Sequence, residues 1–435
     1  PFYEGSAGPF SFDLGQKELD HDSIYKISMQ STPERTIQRM TFDTTRPNGL
    51  LFSLDFQTLY VAQSGRRADE KRELRAYHLQ QDGSLPTGTV LHDFGEHRGI
   101  DGMCLDQNGN IVATSDESVY GLAEVIVCDM NLDLVEDKQS PDVDLEGFEA
   151  GIRAIGRNMR PGTLVLIETT VPPGTCARVV APALANELDC RAESPDSFLL
   201  AHSFERVMPG ADYFDSIVNF WRVYAGHTPD AAVACRDFFE KIINTRDFPM
   251  TELASTTASE ITKIMENSFR AVNIAFVEEW ARFAEVVKVD LYEVIGAIRK
   301  RPTHSNLMQP GFGVGGYCLT KDPLFAKISA RRLFDLEGLS FPFSERAVEV
   351  NDAMPQVSLR RLDNMLGGLK GKCIALFGVS YRQDVGDTRC SPSETFFRAA
   401  CGVGATIKAH DPLVIKWGVG RSLGTTRGGA LLRFH

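Results

Sequence analysis

Two apolar runs and the segment between them indicate the fold of the central part of the chain. The first run is Glu124–Asp129 (Glu-Val-Ile-Val-Cys-Asp) and the second is Leu164–Ile167 (Leu-Val-Leu-Ile). Between them, Asp144 precedes apolar residues that recur every three or four positions, which is typical of an amphipathic helix. Pro161 and Gly162 end that pattern. A strand, a helix and a strand in this order predict a parallel sheet.

The residues that follow the second run are a candidate ligand site. The run leads into Glu168–Thr175 (Glu-Thr-Thr-Val-Pro-Pro-Gly-Thr), and open parallel sheets bind ligands at the carboxyl ends of their strands. A dinucleotide-binding sheet also needs a Gly-x-Gly-x-x-Gly turn after its first strand, and none precedes Glu124. Gly311–Gly316 matches these letters, but it follows Pro310 and not a strand. We therefore do not interpret it as a cofactor-binding turn.

A second candidate site is the glycine-rich loop Gly311–Pro323 (Gly-Phe-Gly-Val-Gly-Gly-Tyr-Cys-Leu-Thr-Lys-Asp-Pro). Glycines let a backbone approach a ligand closely, because no Cβ intervenes. Cys318 follows the glycines, and Lys321 and Asp322 come next. A cation beside a thiol favours the thiolate, which is the nucleophilic form. The sequence therefore predicts a loop for covalent catalysis, in which Lys321 lowers the pKa of the Cys318 thiol.

The strongest helical pattern of the chain covers residues 255–290. Two polar residues, Lys263 and Asn267, lie one turn apart on one face of the predicted helix. An apolar stripe occupies another face and contains Ile261, Met265, Phe269, Val272 and Phe276. Taken alone, the two polar residues are typical of the solvated side of an amphipathic helix.

Residues 1–115 contain short β-like runs that recur with a period near fifty residues. Asn48–Ser53 is followed by Thr58–Ala62, and the similar Asp101–Asp106 is followed by Asn110–Ala113. A β-rich repeat of this length is typical of propeller blades.

The composition excludes several classes of protein. The chain has 435 residues and a net charge of −12, which argues against nucleic acid as a partner. No apolar run approaches the roughly 18 residues of a membrane helix, so we expect no membrane partner. Nine cysteines without a Cys-x-x-Cys pair fit a reducing, cytoplasmic environment.

The N-terminal repeat resembles the gluconolactonase, or regucalcin, family of six-bladed propellers. The matching phrases are Arg46–Gly49 and Gly99–Met103. The resemblance implies that Asn48 and Asp101 bind a divalent cation such as Ca²⁺, which prefers oxygen ligands. Calcium takes about 6–8 such ligands, and two are in view, so the alternative is a pair of turn residues without a metal.

The rest of the chain resembles the UDP-glucose/GDP-mannose dehydrogenase family. Five motifs appear in the order of that family: Glu168–Thr175, Ser203–Gly210 (Ser-Phe-Glu-Arg-Val-Met-Pro-Gly), Lys263 with Asn267, Gly311–Asp322, and Tyr381–Arg389 (Tyr-Arg-Gln-Asp-Val-Gly-Asp-Thr-Arg). Phe204 stands where the family usually has proline, and Arg382 stands where it usually has lysine.

This resemblance implies an NAD-dependent oxidoreductase that converts the C6 hydroxymethyl of a UDP-sugar to a uronate in two steps, through a thiohemiacetal and a thioester on Cys318. It implies catalytic roles for Cys318, Lys263, Asn267, Asp322, Glu205 and Thr170, cofactor contacts for Thr170, Glu168 and Arg389, and substrate contacts for Lys321, Gly315, Phe312 and Arg382. Because the phosphate-binding turn is missing, we expect NAD binding to be impaired. The family also implies a homodimer through the long helix.

The predicted fold is mixed. It consists of a partial, all-β propeller fragment at 1–115, the C-terminal half of an NAD-binding α/β Rossmann-like domain at 118–212, a central helical domain with the long helix at 213–350, a truncated second Rossmann-like domain that binds the UDP-sugar at 351–417, and an irregular tail at 418–435. Two other functions remain open at this point. One is a metal-dependent lactonase, and the other is an inactive fusion of incomplete domains.

Overall fold

A computed structural model describes residues 2–5, 23–28, 36–45, 47–53, 55–63, 71–80, 82, 84–95, 116–130, 132–135, 138, 140–208, 213–414 and 417. The chain divides into two compact units, Pro1–Asp116 and Glu117–His435. Asp101, its repeat 101–113 and the predicted tail 418–435 lie outside the described residues. Within the described residues, no helix has both the length and the apolar character that a membrane crossing requires.

In the described residues of the first unit, the strands form two antiparallel sheets. Its strands are β1 (Phe2–Gly5), β2 (Ser23–Ser28), β3 (Thr36–Arg39), β4 (Pro47–Phe52), β5 (Thr58–Gln63), β6 (Glu73–His78) and β7 (Thr89–Asp93). Strands β1 to β3 form one sheet, and β4 to β7 form a second sheet in sequential order. Buried Leu59, Val61 and Tyr77 pack with Ile24 and Met40. Four sequential antiparallel strands are the unit of a propeller blade, but the propeller fragment stays a prediction.

The second unit opens with a five-stranded sheet. Its elements are β8 (Val125–Cys128), α1 (Leu145–Asn158), β9 (Leu164–Ile167), α2 (Ala181–Cys190), β10 (Leu199–His202), α3 (Tyr213–Val218), β11 (Val223–Gly226), α4 (Pro229–Phe239) and β12 (Thr251–Glu252). The strand order is β12-β11-β10-β9-β8. Strands β8, β9 and β10 are parallel, and β11 is antiparallel to β10. The predicted strand–helix–strand unit is therefore confirmed.

Local sequence explains the burial of β9 and the start of α1. All four residues of β9 are buried, as expected for a parallel strand that is covered on both faces. Helix α1 begins where predicted, because the Asp144 carboxylate accepts a hydrogen bond from the Gly147 amide at 2.8 Å. The sheet does not end where predicted. Its buried strand β11 and the short β12 continue to Glu252, so the expected boundary at residue 212 lies inside the sheet.

Helices dominate the remainder of the second unit. The elements are α5 (Thr256–Val286), α6 (Leu291–Ile298), α7 (Phe325–Phe334), α8 (Pro342–Leu366), β13 (Cys373–Phe377), α9 (Pro392–Gly402) and β14 (Thr406–His410). Helices α5 and α8 pack through small residues, Ala271 and Ala275 against Ala347. Strands β13 and β14 form a parallel pair. Helix α8 crosses the predicted boundary at residue 350, because one amphipathic pattern runs through it.

Candidate active site

The glycine-rich loop packs against the segment that connects β13 to α9. The Gly316 amide donates a hydrogen bond to the Arg389 carbonyl at 3.1 Å, and Gly316 has φ of +82°. A Cβ on Gly315 would lie 2.6 Å from Cβ of Tyr381, and a Cβ on Gly316 would lie 2.7 Å from the Tyr381 ring. These glycines are therefore required by a close approach of two chain segments, which agrees with our rejection of the loop as a cofactor-binding turn.

Asp322 is the centre of the predicted catalytic group. Its side chain is fully buried, accepts a hydrogen bond from Lys321 Nζ at 2.8 Å and accepts another from Asn267 Nδ2 at 2.8 Å. The Asp322 amide also donates to the Cys318 carbonyl at 2.9 Å. Burial raises the pKa of Asp322, and the charge of Lys321 acts in the opposite direction. Asp322 thus joins the glycine-rich loop to helix α5.

Lys263 connects the same group to the end of strand β10. Its buried ammonium donates a hydrogen bond to the Glu205 carbonyl at 2.8 Å and lies 3.6 Å from Glu205 Oε1. Lys263 and Asn267 are one helical turn apart, as predicted; Lys263 is buried and Asn267 is half-buried. Helix α5 therefore presents a cation and an amide on the side of Cys318.

The pKa of Cys318 shifts opposite to the direction that the sequence predicted. Cys318 is exposed overall, but desolvation raises the pKa of its thiol and the charge of Asp322 adds to this effect. Lys263 and Lys321 act in the opposite direction. The prediction was wrong because it considered the positive charge of Lys321 but not the negative charge of Asp322 beside it. Lys321 is paired with Asp322, and its ammonium also lies over the rings of Tyr317 and Phe325.

Two of the predicted cofactor residues, Glu168 and Thr170, lie just after strand β9. Glu168 follows β9 and forms an ion pair with buried Arg222. Burial raises the pKa of Glu168, and the charge of Arg222 lowers it. Thr170 is partly exposed two positions later, and the hydroxyl of its neighbour Thr169 donates to the Met130 carbonyl at 2.9 Å. The turn that carries Thr170 is thereby attached to the residues that follow β8.

Four other predicted ligand residues occupy the C-terminal side. Arg389 forms an ion pair with Asp387 at 2.7 Å, and Arg382 is exposed. Phe312 packs with its ring centroid 5.5 Å from that of Phe396, and Gly315 packs against Tyr381. Phe312 and Gly315 thus have packing roles in addition to any ligand contact.

The predicted metal residues lie in the other unit. Asn48 is in strand β4, at a register shift between Pro47 and Gly49. Within the described part of the chain, no group of three or more His, Cys, Asp or Glu side chains is arranged to hold a metal ion.

The sequence analysis missed Glu260, a buried carboxyl group on α5. Its oxygens accept hydrogen bonds from the amides of Gly174 and Cys176, so it holds the segment after Thr170 against the helix. Burial raises the pKa of Glu260 from 4.5 to about 7. The missed signal is spacing, because Glu260, Lys263 and Asn267 recur every three or four positions on one helix face.

The free energy of unfolding should depend on pH through Glu260. Because the pKa is higher in the folded state, Glu260 stabilises the fold fully below about pH 4.5 and loses this contribution as the pH rises to about 7. We expect a loss of about 3 kcal/mol across that window, measured by urea unfolding at several pH values. Glu260→Gln should remove this component, whereas the exposed Glu279→Gln on the same helix should retain it. Equal pH dependence in both variants would contradict the assignment.

Family models match three segments of the chain. Residues 104–243 match the NAD binding domain, and residues 257–353 match the central domain, of the UDP-glucose/GDP-mannose dehydrogenase family. These two segments belong to that family. Residues 7–136 match the SMP-30/Gluconolactonase/LRE-like region, and this match overlaps the first at residues 104–136. Both resemblances drawn from the sequence are thereby confirmed at the level of family.

Individual relatives agree with the family match. A UDP-N-acetyl-D-mannosamine dehydrogenase of Pyrococcus horikoshii is 33% identical over 277 residues, which are 63% of this chain and 62% of the relative. An NDP-N-acetyl-D-galactosaminuronic acid dehydrogenase of Ralstonia nicotianae is 31% identical over 63% of each chain. This chain therefore spans less than two thirds of the length of either relative.

Solved structures show the same fold. A UDP-glucose dehydrogenase of Pyrobaculum islandicum superposes with a TM-score of 0.61 at 28% identity, covering 69% of this chain and 67% of the other. The UDP-D-ManNAc dehydrogenase of Pyrococcus horikoshii gives a TM-score of 0.60 at 29% identity, covering 69% and 68%. The α/β Rossmann-like fold of the second unit is thus shared with UDP-sugar dehydrogenases.

Proposed function

We propose that the second unit oxidises the C6 hydroxymethyl group of a UDP-sugar to a carboxylate, with NAD⁺ as hydride acceptor and Cys318 as nucleophile. One observation carries the proposal. Asp322 accepts hydrogen bonds from Lys321 and Asn267, its backbone amide donates to the Cys318 carbonyl, and its charge acts on the Cys318 thiol, so a thiol, an amide and a buried carboxylate lie together. The charge of Lys263 acts on the same thiol. A nucleophile, a cation and a base are the groups that aldehyde oxidation through a thioester needs.

Each step can be assigned to residues of this chain. Two NAD⁺, bound one after the other, would supply the hydride acceptors, one for each oxidation. The Cys318 sulfur forms a bond to the aldehyde carbon produced by the first oxidation, and the Lys263 ammonium, with the Asn267 amide, stabilises the oxyanion that develops. Loss of a second hydride leaves a thioester. Water then breaks the carbon–sulfur bond, releasing the carboxylate and restoring the thiol, while Asp322 or Glu205 holds the water proton.

The residues present fit the nicotinamide end of the cofactor better than its pyrophosphate. Thr170 and Glu168 follow β9 at the edge where open sheets bind ligands. No Gly-x-Gly-x-x-Gly turn precedes β8 in the sequence. We therefore expect isothermal titration with NAD⁺ to give weak binding, because backbone amides that cradle the pyrophosphate are missing. A dissociation constant in the micromolar range would contradict this prediction.

Turnover tests the proposed activity directly. The full chain is incubated with saturating NAD⁺ and either UDP-glucose or UDP-N-acetylmannosamine, and reduced nicotinamide and the uronate are quantified. We expect two reduced cofactors for each uronate, because two hydrides leave the same carbon. Uronate formation that persists in Cys318→Ala would refute the proposed nucleophile. Absence of any product with both sugars would favour the inactive fusion.

We further propose that the chain forms a homodimer through α5. Most of the apolar stripe predicted on this helix is exposed, while Val272 packs against the small residues between α5 and α8. The exposed side includes Ile261, Met265, Phe269, Phe276, Trp280 and Phe283. These residues recur every three or four positions, or at multiples of that spacing, and form one continuous face. An apolar face of this size marks an interaction surface. A second copy fits it because a helix face can pair with itself about a twofold axis.

Disrupting this face should produce monomers. Phe276→Glu places a charge at the centre of the apolar stripe, so we expect the mass in light scattering after gel filtration to fall by half. Leu122→Glu is the matched control, because Leu122 is also an exposed apolar residue but lies outside α5. A wild-type chain that is already monomeric, or a Phe276→Glu dimer, would contradict the prediction.

A lactonase activity of the first unit is the second candidate function. It is favoured by the SMP-30/Gluconolactonase/LRE-like match over residues 7–136. Ca²⁺-dependent hydrolysis of gluconolactone that is lost in Asn48→Ala would support it. Hydrolysis that is unchanged in Asn48→Ala would remove Asn48 as a ligand.

A further inference from the structure

Three residues at the end of strand β10 and just after it lie near Lys263 and have no role in the chemistry proposed above. His202, Ser203 and Phe204 are all fully buried. His202 Nδ1 lies 2.8 Å from the hydroxyl of Ser259, which precedes Lys263 by about one turn of α5. This contact fixes the first turns of the helix against the strand.

The imidazole of His202 does not compete with Lys263 as a cation. Burial lowers the pKa of His202 to about 3, and the charge of Lys263 acts in the same direction. His202 is therefore neutral near pH 7. Its ring lies beside that of Phe204, with 6.2 Å between the centroids. The wall around the ammonium is thus aromatic and uncharged on this side.

Two cations lie over the ring of Phe204. Lys263 Nζ is 5.4 Å from the ring centroid, and the guanidinium carbon of Arg206 is 5.2 Å from it. An aromatic face attracts a cation within about 6 Å, and the attraction grows when the pair is desolvated. Arg206 is anchored separately, by an ion pair with Glu266 and a 2.7 Å hydrogen bond to the Trp221 carbonyl. Among the described residues, Lys263 forms an ion pair with Glu205, and its charge also interacts with that of Asp322.

We propose that Phe204 is a positioning residue, which holds the Lys263 ammonium beside Cys318 through its aromatic face. The role of Phe204 in catalysis rests on the proposed function. Its contact with Lys263, and the effect of that contact on the Cys318 thiol, do not. Phe204 replaces the proline that the family usually has at this position, and a proline ring offers no π face. The chain thereby gains a contact to Lys263 that does not depend on substrate.

The test measures the pH dependence of Cys318 alkylation by iodoacetamide in the full chain, followed by peptide mapping. The charged groups that act on this thiol are Lys263, Lys321, Asp322 and Glu205. Phe204→Leu should raise the alkylation midpoint by about half a pH unit, because the mobile ammonium stabilises the thiolate less. Phe204→Tyr keeps the π face and should retain the wild-type midpoint.

Phe148→Leu is the matched control, because Phe148 is a buried phenylalanine in the core of the same unit, on α1. It should lower the melting temperature to a similar degree without moving the midpoint. If Phe204→Leu does not fold, Phe204→Met takes its place, since its longer, flexible side chain adapts to the space of the ring without a π face. Equal midpoints in the Phe204 and Phe148 variants would overturn the proposal.

Kinetics separate this inference from the proposed function. In an active chain, Phe204→Leu should lower kcat about threefold to tenfold and leave KM for the UDP-sugar within about twofold, because the ammonium acts on the oxyanion. A midpoint shift in a chain without turnover would support the positioning role and refute the proposed function. Turnover without a midpoint shift would support the proposed function and overturn the positioning role.

Discussion

Cys318→Ala should lower the rate of uronate formation by about 10³-fold or more. Loss of a covalent nucleophile has an effect of this size, because the remaining groups stabilise charge but cannot form the acyl intermediate. The first oxidation does not need the thiol. We therefore expect one reduced cofactor and one aldehyde or its hydrate for each UDP-sugar consumed, in place of two reduced cofactors and a uronate.

Aldehyde trapping with hydroxylamine and mass spectrometry of the sugar would show this change. Cys190→Ala is the matched control, because Cys190 is also exposed but ends α2, outside the predicted catalytic group. The control should leave stoichiometry and rate unchanged. If Cys318→Ala still releases uronate with two reduced cofactors, the carboxylate arises without a thioester, and Asp322 and Glu205 become the groups to examine.

The sequence predicted the elements of the second unit because their signals are local. Strands β8 and β9 are apolar runs, and α1 begins directly after Asp144, as predicted. Such signals depend on neighbours along the chain. The end of the sheet was not predicted, because β11 and β12 are recognised by their pairing, β11 with β10 and β12 with β11, rather than by a pattern of their own.

The sequence grouped the candidate site residues but did not predict their electrostatics. Motif order brought together Cys318, Asn267 and Asp322, and in the structure Asp322 is hydrogen-bonded to the Asn267 amide and, through its own backbone amide, to the Cys318 carbonyl. Their catalytic roles stay a prediction. The pKa of Cys318 could not be predicted, because it depends on whether Lys321 is free or paired. Glu260 and Phe204 were also missed as interacting groups, since their partners come from segments roughly 60 to 90 residues away, and such contacts leave no local pattern.

Asp322→Asn should destabilise the second unit by about 3–5 kcal/mol and abolish uronate formation. The substitution keeps the shape of the side chain but removes the charge that compensates the buried ammonium of Lys321. An unpaired buried charge has a cost of this size. Urea unfolding and the turnover assay measure the two effects. The exposed Glu349→Gln, which removes one partner of the pair with Arg346, should change stability by under about 0.5 kcal/mol.

A double variant separates stability from chemistry. In Lys321→Met with Asp322→Asn, neither buried charge remains, so most of the lost free energy of unfolding should return. Uronate formation should not return if Asp322 is the base, because its carboxylate can no longer hold the water that attacks the thioester. Recovery of stability together with turnover would show that Asp322 only neutralises Lys321, and Glu205 would then be the base. Recovery of stability alone assigns Asp322 to the chemistry.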